Sequence, residues 1–248
     1  PSALKPFDPA GLAWAGRAWI APGIGVFRGS VGAHDWHQHL AHQITVGLEG
    51  AVEVETPAGR LRGRALVIPA GMRHRLSGGA VLSIYLDALA PEATALRLRP
   101  QQAALALDPD LARRLLDFSS ADDLTTVQVI FRSDPPRVAD TRLEAVVREL
   151  RACRGETDRR SLAAMVHVSP ERFSHWFVEQ TGLPLRSYLK WVRLIESLRQ
   201  LAAGGSLTEA AHLGGFSDSA HLSRTFRAML GSSPANLLKQ VALSGAID

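Results

Sequence analysis

Two groups of residues in this chain have types and spacings from which chemistry could be built. In the amino-terminal half, His37 and His39 stand two apart, Gln43 shares their parity, and His74 follows. Three imidazole nitrogens and an amide oxygen would suit nickel, zinc, copper or iron. All four donors are neutral, so a cation held there would take water or an anionic effector to complete its shell. The other reading is that the same side chains form the polar lining of a metal-free effector pocket. On a strand, His37, His39 and Gln43 would face one way, and His34 and His42 the other, toward the surface or a second layer. Pro69 and Gly71 would shape the loop that aims His74 inward, leaving Arg73 and Arg75 outside.

The second group lies in the stretch from Gly214 to Pro234, GGFSDSAHLSRTFRAMLGSSP. Gly214 and Gly215 make a turn, Ser217 or Asp218 caps a new helix, and Gly231 ends it. Leu222, Phe226 and Met229 recur at helical spacing and must face a core, so Arg224 points outward with Ala220 and Arg227 near the same face. An outward Arg on a helix-turn-helix can donate a bidentate pair to guanine or to a phosphate.

That pattern occurs twice. An offset of 49 residues places Phe173 on Leu222, Ser174 on Ser223, His175 on Arg224, Phe177 on Phe226 and Gly182 on Gly231. Ser169, followed by Pro170, reads as the cap of the earlier helix, with Phe173, Trp176 and Phe177 buried. Between the copies, Leu185 to Ala202 carries Tyr188, Leu189, Val192, Ile195 and Leu198 at helical spacing. A helix of that length spans about 27 Å at 1.5 Å per residue. It can hold two readers near the roughly 34 Å of one DNA turn, so they address successive major grooves from one side.

The elements that must position these groups are read from the rest of the chain. At 248 residues the length suits two domains, each with its own core. The formal net charge is +4, and from Val138 onward 14 Lys and Arg stand against 11 Asp and Glu. That mild excess agrees with DNA binding without demanding it. The single cysteine, Cys153, forbids an internal disulfide and fits a reducing cytosol. No apolar run approaches the length of a membrane span, and no signal peptide is visible. The region 1–22 reads as an irregular lead-in that packs Trp14 and Trp19 on the adjoining domain. Short alternating runs then recur at 43–48, 51–55, 60–62, 65–68 and 80–87, as in an antiparallel barrel or sandwich. Pro91 could start a short helix, and Asp108 caps a second with Leu111, Leu115, Leu116 and Phe118 on its apolar stripe. The run 127–131 reads as a strand or extended segment. Arg132 to Arg137 reads as a linker, Asp140 as the start of a helix ending near Gly155, and Ser161 as the cap of the next.

The segment from Ser161 to Leu238 resembles the DNA-binding domain of the AraC/XylS family of bacterial transcription regulators. The stretch AAHLGGFSDSAHLSRTFRAMLGSSP carries nearly the whole family signature. Two departures stand out: His167 in the first turn, where Gly or Asn is easier at positive φ, and Pro234 to Lys239 lacking the usual Tyr-Arg. By the family pattern, Glu171, Ser174 and His175 of the first unit and Ser219, Ala220 and Arg224 of the second would address DNA. The spacing His37-x-His39-x3-Gln43-x6-Gly50, followed by Gly63-x5-Pro69-x-Gly71-x2-His74, is similar to the two motifs of the cupin family. In that resemblance Gln43 stands where a Glu ligand is usual, and Gly78 where the second motif usually ends in Asn.

The expectation is an α+β chain of two domains. A cupin or jelly-roll antiparallel β-barrel covers 1–98, and a helical connector and dimerisation segment covers 99–137. An all-α domain covers 138–248, with helix-turn-helix units at about 161–182 and 207–231 on a helix at about 185–202. The resemblance implies a cytoplasmic, non-enzymatic regulator that binds double-stranded promoter DNA. Its barrel would sense a small molecule or metal ion and bias the geometry between the halves. It leaves room for RNA polymerase and a second copy of the chain as partners, and for no membrane. The rival reading is a metal-dependent cupin oxygenase or isomerase with an attached helical domain. Against that rival, Gln43 replaces the acidic ligand, and no general acid or base stands out around His74.

Overall fold

The computed structural model describes residues 14–32, 34–77, 79–94, 96, 98–118, 129–131, 141–155 and 157–245. The amino-terminal half is built on strands β1 (Ala15–Ala21), β2 (Ile24–Ser30), β3 (Ala41–Gly47), β4 (Val52–Thr56) and β5 (Gly59–Gly63). They are followed by β6 (Ala65–Ile68), β7 (Arg75–Ser77), β8 (Ala80–Asp87), helix α1 (Pro91–Thr94), β9 (Leu105–Ala106) and helix α2 (Pro109–Phe118). With β10 (Val241–Gly245), the strands form two sheets, ordered β10-β1-β2-β8-β3-β6-β9 and β5-β4-β7, rather than a closed barrel. The strand β10 at one edge comes from the far end of the chain and runs parallel to β1.

Val52, Val54, Leu66, Ile68, Leu76 and Val81 pack together across these sheets. On its other side, the long sheet packs Ile44, Val46, Ile84 and Leu86 with Leu115 of α2, whose amino-terminal end is capped by Asp108. Both sides of β3 are therefore covered, and all seven of its residues are buried.

Several sequence expectations change here. The region 1–22 is not wholly irregular, because Ala15–Ala21 is strand β1, paired with β2 on one side and β10 on the other. Gly16, Ala18 and Ala21 blur its apolar alternation, and the pairing is set by strands elsewhere. Residues 129–131 are helical rather than extended, with Phe131 buried against the α2 core. The linker read at 132–137, Asp140 and Gly78 lie outside the described residues.

The carboxyl-terminal half contains α3 (Thr141–Ala152), α4 (Arg159–Met165), α5 (Pro170–Thr181), α6 (Leu185–Ala202), α7 (Leu207–Leu213), α8 (Ser219–Leu230) and α9 (Pro234–Gln240). The cap of α4 is Asp158, which accepts from the N–H groups of Arg160 and Ser161, so Ser161 lies inside the helix it was expected to cap. A carboxylate three residues upstream outcompetes the Ser hydroxyl for the first free N–H groups. α5 and α8 are capped by Ser169 and Asp218, and each ends at a left-handed glycine, Gly182 (φ 69°) and Gly231 (φ 73°). α7 has a full capping box between Ser206 and Glu209.

The spacer α6 is buried on more faces than its apolar stripe announced. Trp191, Leu194, Glu196 and Ser197 join Tyr188, Val192 and Leu198 inside, because α6 touches α3, α5, α7, α8, β1 and β10. The turn after α7 presses so closely that a Cβ on Gly214 would lie 2.0 Å from Ser197 Oγ. The two halves are also pinned by a polar node. Asp87, at the end of β8, accepts from the Tyr188 hydroxyl at 3.2 Å and lies 3.2 Å from Arg151 Nη2.

Candidate functional site

The histidines converge from an irregular stretch, not from one strand. Residues 34–39 lie outside the named strands, and His37 forms a single bridge with His74. His37, His39 and His74 are 6%, 1% and 0% exposed. Their ring centroids lie 4.2 Å (His37 to His74), 5.0 Å (His39 to His74) and 5.7 Å (His37 to His39) apart.

Each ring faces a backbone carbonyl through Nδ1: Asp35 O at 3.1 Å for His37, Ala41 O at 3.0 Å for His39, and Met72 O at 2.9 Å for His74. A carbonyl only accepts, so these contacts favour a proton on Nδ1 and leave Nε2 with its lone pair. Burial lowers the pKa of all three, helped at His37 and His74 by neighbouring imidazoles, and brings His74 down to about 3. The rings are thus neutral near pH 7, the form in which imidazole binds a metal. One ligand atom from each lies within 4.8 Å of the others, and His74 Nε2 has no hydrogen-bond partner among the described residues.

Gln43 is engaged differently. Its Oε1 is 3.0 Å from His39 Nε2, and its amide nitrogen is 2.8 Å from the Thr45 hydroxyl, which in turn contacts Ser83. A neutral His39 has one proton for two acceptors, Ala41 O and Gln43 Oε1. Turning the amide over removes that conflict, giving its NH2 to His39 and its oxygen to Thr45. In either orientation Gln43 is tied to His39 and Thr45, so the geometry brings together three histidines with the amide behind them.

His34 and His42 do structural work. His34 accepts from Leu76 N–H at 3.0 Å, and His42 Nδ1 accepts from Ala70 N–H at 3.1 Å. His42 is only 2% exposed, so of the surface and second-layer places its parity allowed it takes the buried one; both faces of β3 are covered. Arg73 and Arg75 lie outside, each with its guanidinium over the Trp36 ring, and Arg75 pairs with Glu55.

On the reader units, Phe173 and Phe177 of α5 and Leu222 and Phe226 of α8 are fully buried, which turns the opposite faces outward. Glu171, His175, Ala220 and Arg224 are exposed, and Ser174 and Ser219 are half-buried. Glu196 of α6 lies 3.5 Å from both Arg154 and Arg199. His167 adopts φ 57°, the left-handed conformation its place in the first turn implied.

A cavity of about 180 Å³ joins the two halves, and sequence reasoning did not anticipate it. Trp14, Trp19 and Ile20 line it from the sheet side, Trp191 and Ile195 from α6, and Leu243 from β10. Arg151, Arg154 and Arg199 also line it, against Asp87 and Glu196, and His37 links it to the histidine cluster. The indole N–H groups of Trp14 and Trp191 are buried with no acceptor among the described residues. No sequence signal could have found this space, because its walls come from opposite ends of the chain, from Trp14 to Leu243.

Residues 162–240 match the helix-turn-helix domain family. Over 201 residues the chain is 29% identical to the transcriptional activator NphR of a Rhodococcus species, a match covering 81% of this chain and 52% of NphR. The chain therefore aligns with about half the length of that relative. An apo variant of ToxT from Vibrio cholerae strain SCE256 superposes with a TM-score of 0.63 at 10% identity, over 88% of this chain and 97% of ToxT. Wild-type ToxT from that strain, bound to an unsaturated fatty acid, gives 0.56 at 11% identity, over 94% and 98%. At these identities the ToxT likeness is one of fold. The paired units seen in the sequence repeat fall inside the helix-turn-helix match, and that match together with the likeness to a transcriptional activator supports the resemblance to AraC/XylS-family regulators.

Proposed function

We propose that this chain binds promoter DNA through α5 and α8 and that a small molecule in the cavity between the halves controls the binding. The cavity is the observation that carries this reading. Its walls belong to the sheet and to α6, the helix between the readers, so a ligand there touches both halves at once. An occupant with an apolar body and an oxygen-bearing head fits the lining. The body would pack on Trp19, Ile20 and Leu243, and the head would accept from the free indole N–H groups within reach of a net excess of arginine. ToxT has been crystallised with an unsaturated fatty acid, and by analogy we propose an amphipathic acid of that kind here. The effector acts by biasing geometry, binding one arrangement of the halves more tightly than the other.

The test starts with a duplex selected from random DNA by the full chain. Titration with oleate should shift its affinity at least several-fold, and Trp191→Leu should abolish the shift while leaving DNA binding intact. Oleate that binds without changing DNA affinity, or does not bind, would refute the amphipathic-acid reading.

The second reading is a metal at His37, His39 and His74, favoured by the unpartnered Nε2 of His74 and the three Nδ1 contacts. A divalent ion there would supply a charge that draws the rings together. Elemental analysis of protein purified without an affinity tag should give near one nickel, zinc, copper or iron per chain. The His39→Ala, His74→Ala double variant should lose it. Metal-free protein after incubation with each ion would refute this second reading and leave His37 as a polar wall residue of the cavity.

None of the described helices is long and apolar enough to cross a membrane. The reading places the protein in the cytoplasm, with RNA polymerase and a second copy of the chain as candidate partners.

A further inference from the structure

The stretch that carries His37 and His39 also holds the second reader helix. The final carbonyls of a helix have no partner within it and must find one elsewhere. In α8 two groups at this end are satisfied from the amino-terminal half. Asp35 N–H donates to Gly231 O at 2.7 Å, and Gln38 N–H donates to Ala228 O at 3.1 Å. Between them His37 N–H donates to His74 O at 3.1 Å, and His74 N–H returns to His37 O at 2.9 Å. One short segment is therefore tied to the reader on one side and to the histidine cluster on the other.

The fit is close, since a Cβ on Gly231 would lie 2.7 Å from Asp35 O and 2.8 Å from His37 Nδ1. Among the described residues, the first reader has no such tie at the equivalent position. Its Gly182 faces the ring of Pro100, with a built Cβ 3.5 Å away in ordinary contact.

The same segment engages a cation of the reader. Asp35 Oδ2 lies 3.1 Å from Arg227 Nε, and both side chains are exposed, 65% and 60%. Arg227 follows Arg224 by three residues, about 60° around the helix, on the outward side. An ion pair this exposed adds little to stability, so it exchanges readily for another anion.

Building on the DNA-binding reading, we propose that segment 34–39 is a latch on the second reader, with Asp35 occupying Arg227 where a DNA phosphate would sit. Engagement of the second groove replaces the carboxylate with phosphate and releases Asp35 and Gln38 from the end of α8. A ligand on the histidines acts on the same backbone, so it tightens or loosens the latch.

The experiment is a double-variant cycle on the selected duplex at several salt concentrations. Asp35→Ala should bind about two- to fivefold more tightly than the unaltered chain, the scale of an exposed ion pair. That gain should vanish when Arg227→Ala is added. In the Asp35→Ala background, removing Arg227 should lower the slope of log affinity against log salt by about one, the signature of a lost phosphate contact. In the unaltered chain, adding duplex should speed amide exchange at Asp35 and Gln38 but not at the Ala41–Gly47 strand. Unchanged affinity in Asp35→Ala, a gain that persists without Arg227, or exchange unmoved by bound duplex would each overturn the latch. Failure of every form to bind any duplex would instead overturn the DNA-binding reading, and the latch with it.

Discussion

The two reader units share a skeleton and differ in almost everything placed on it. α5 and α8 are both twelve residues long, both start from an oxygen-bearing cap, and both stop at a left-handed glycine. Each buries a pair four residues apart, Phe173 with Phe177 and Leu222 with Phe226. Outside that skeleton, α5 presents Glu171 and His175 while α8 presents Ala220 and Arg224. α8 alone is hydrogen-bonded at its end to the histidine segment. The repeat thus preserves the buried and capping positions that folding requires and varies the outward face. We infer that the second unit supplies more of the DNA affinity and receives the signal, while the first discriminates among sequences.

The skeletons should prove energetically equivalent. Phe177→Ala and Phe226→Ala each empty a fully buried site and should each cost about 3–5 kcal/mol in urea unfolding. Costs differing by more than about 2 kcal/mol would mean that the two copies are not equivalent scaffolds.

Acid should separate the units. His74 is held neutral down to about 3 by burial, whereas an unfolded histidine takes up its proton near 6.5. The unfolded chain therefore binds that proton first, and the stability is complete above the unfolded value and lost as pH falls toward the folded one. Between pH 7 and pH 5, His74 alone should remove about 2 kcal/mol, seen as a lower urea midpoint. His37 and His39 shift in the same direction and add to it. Amide exchange at pH 5 should rise at the end of α8 before it rises in α5; equal loosening of both would break the comparison.

Charge on the outward faces comes next. Arg224→Ala should cost about 1–3 kcal/mol of affinity for the selected duplex. His175→Ala should cost less at pH 8, because an imidazole lacks the planar fork of donors with which Arg pairs bidentately to guanine or phosphate. Equal losses at that pH would make the asymmetry wrong.

The smallest effect concerns Glu171, which would repel phosphate yet could accept from a cytosine amine. Glu171→Ala should change total affinity by less than about 1 kcal/mol while relaxing preference at one base pair. A repeat of the duplex selection with the variant reads this directly, and an unchanged consensus would remove Glu171 from the discriminating set.

The sequence alone was enough for the features held by short-range forces. The reader helices, the long spacer, the caps Ser169 and Asp218, the stops Gly182 and Gly231 and the positive φ of His167 follow from periodicity and local hydrogen bonding within a few residues. The histidine types and most of the central strands were legible for the same reason.

Only the tertiary structure decided what depends on distant segments. It placed β10 beside β1, opened the expected barrel into two sheets, and buried His42 by covering both faces of β3. It also drew His37 and His39 onto an irregular segment and set Asp35 and Gln38 against α8. These are backbone pairings and wall contacts between residues far apart in the chain. Their free energy sets shared burial against the entropic cost of loop closure, and neither is encoded in the residue types near either partner.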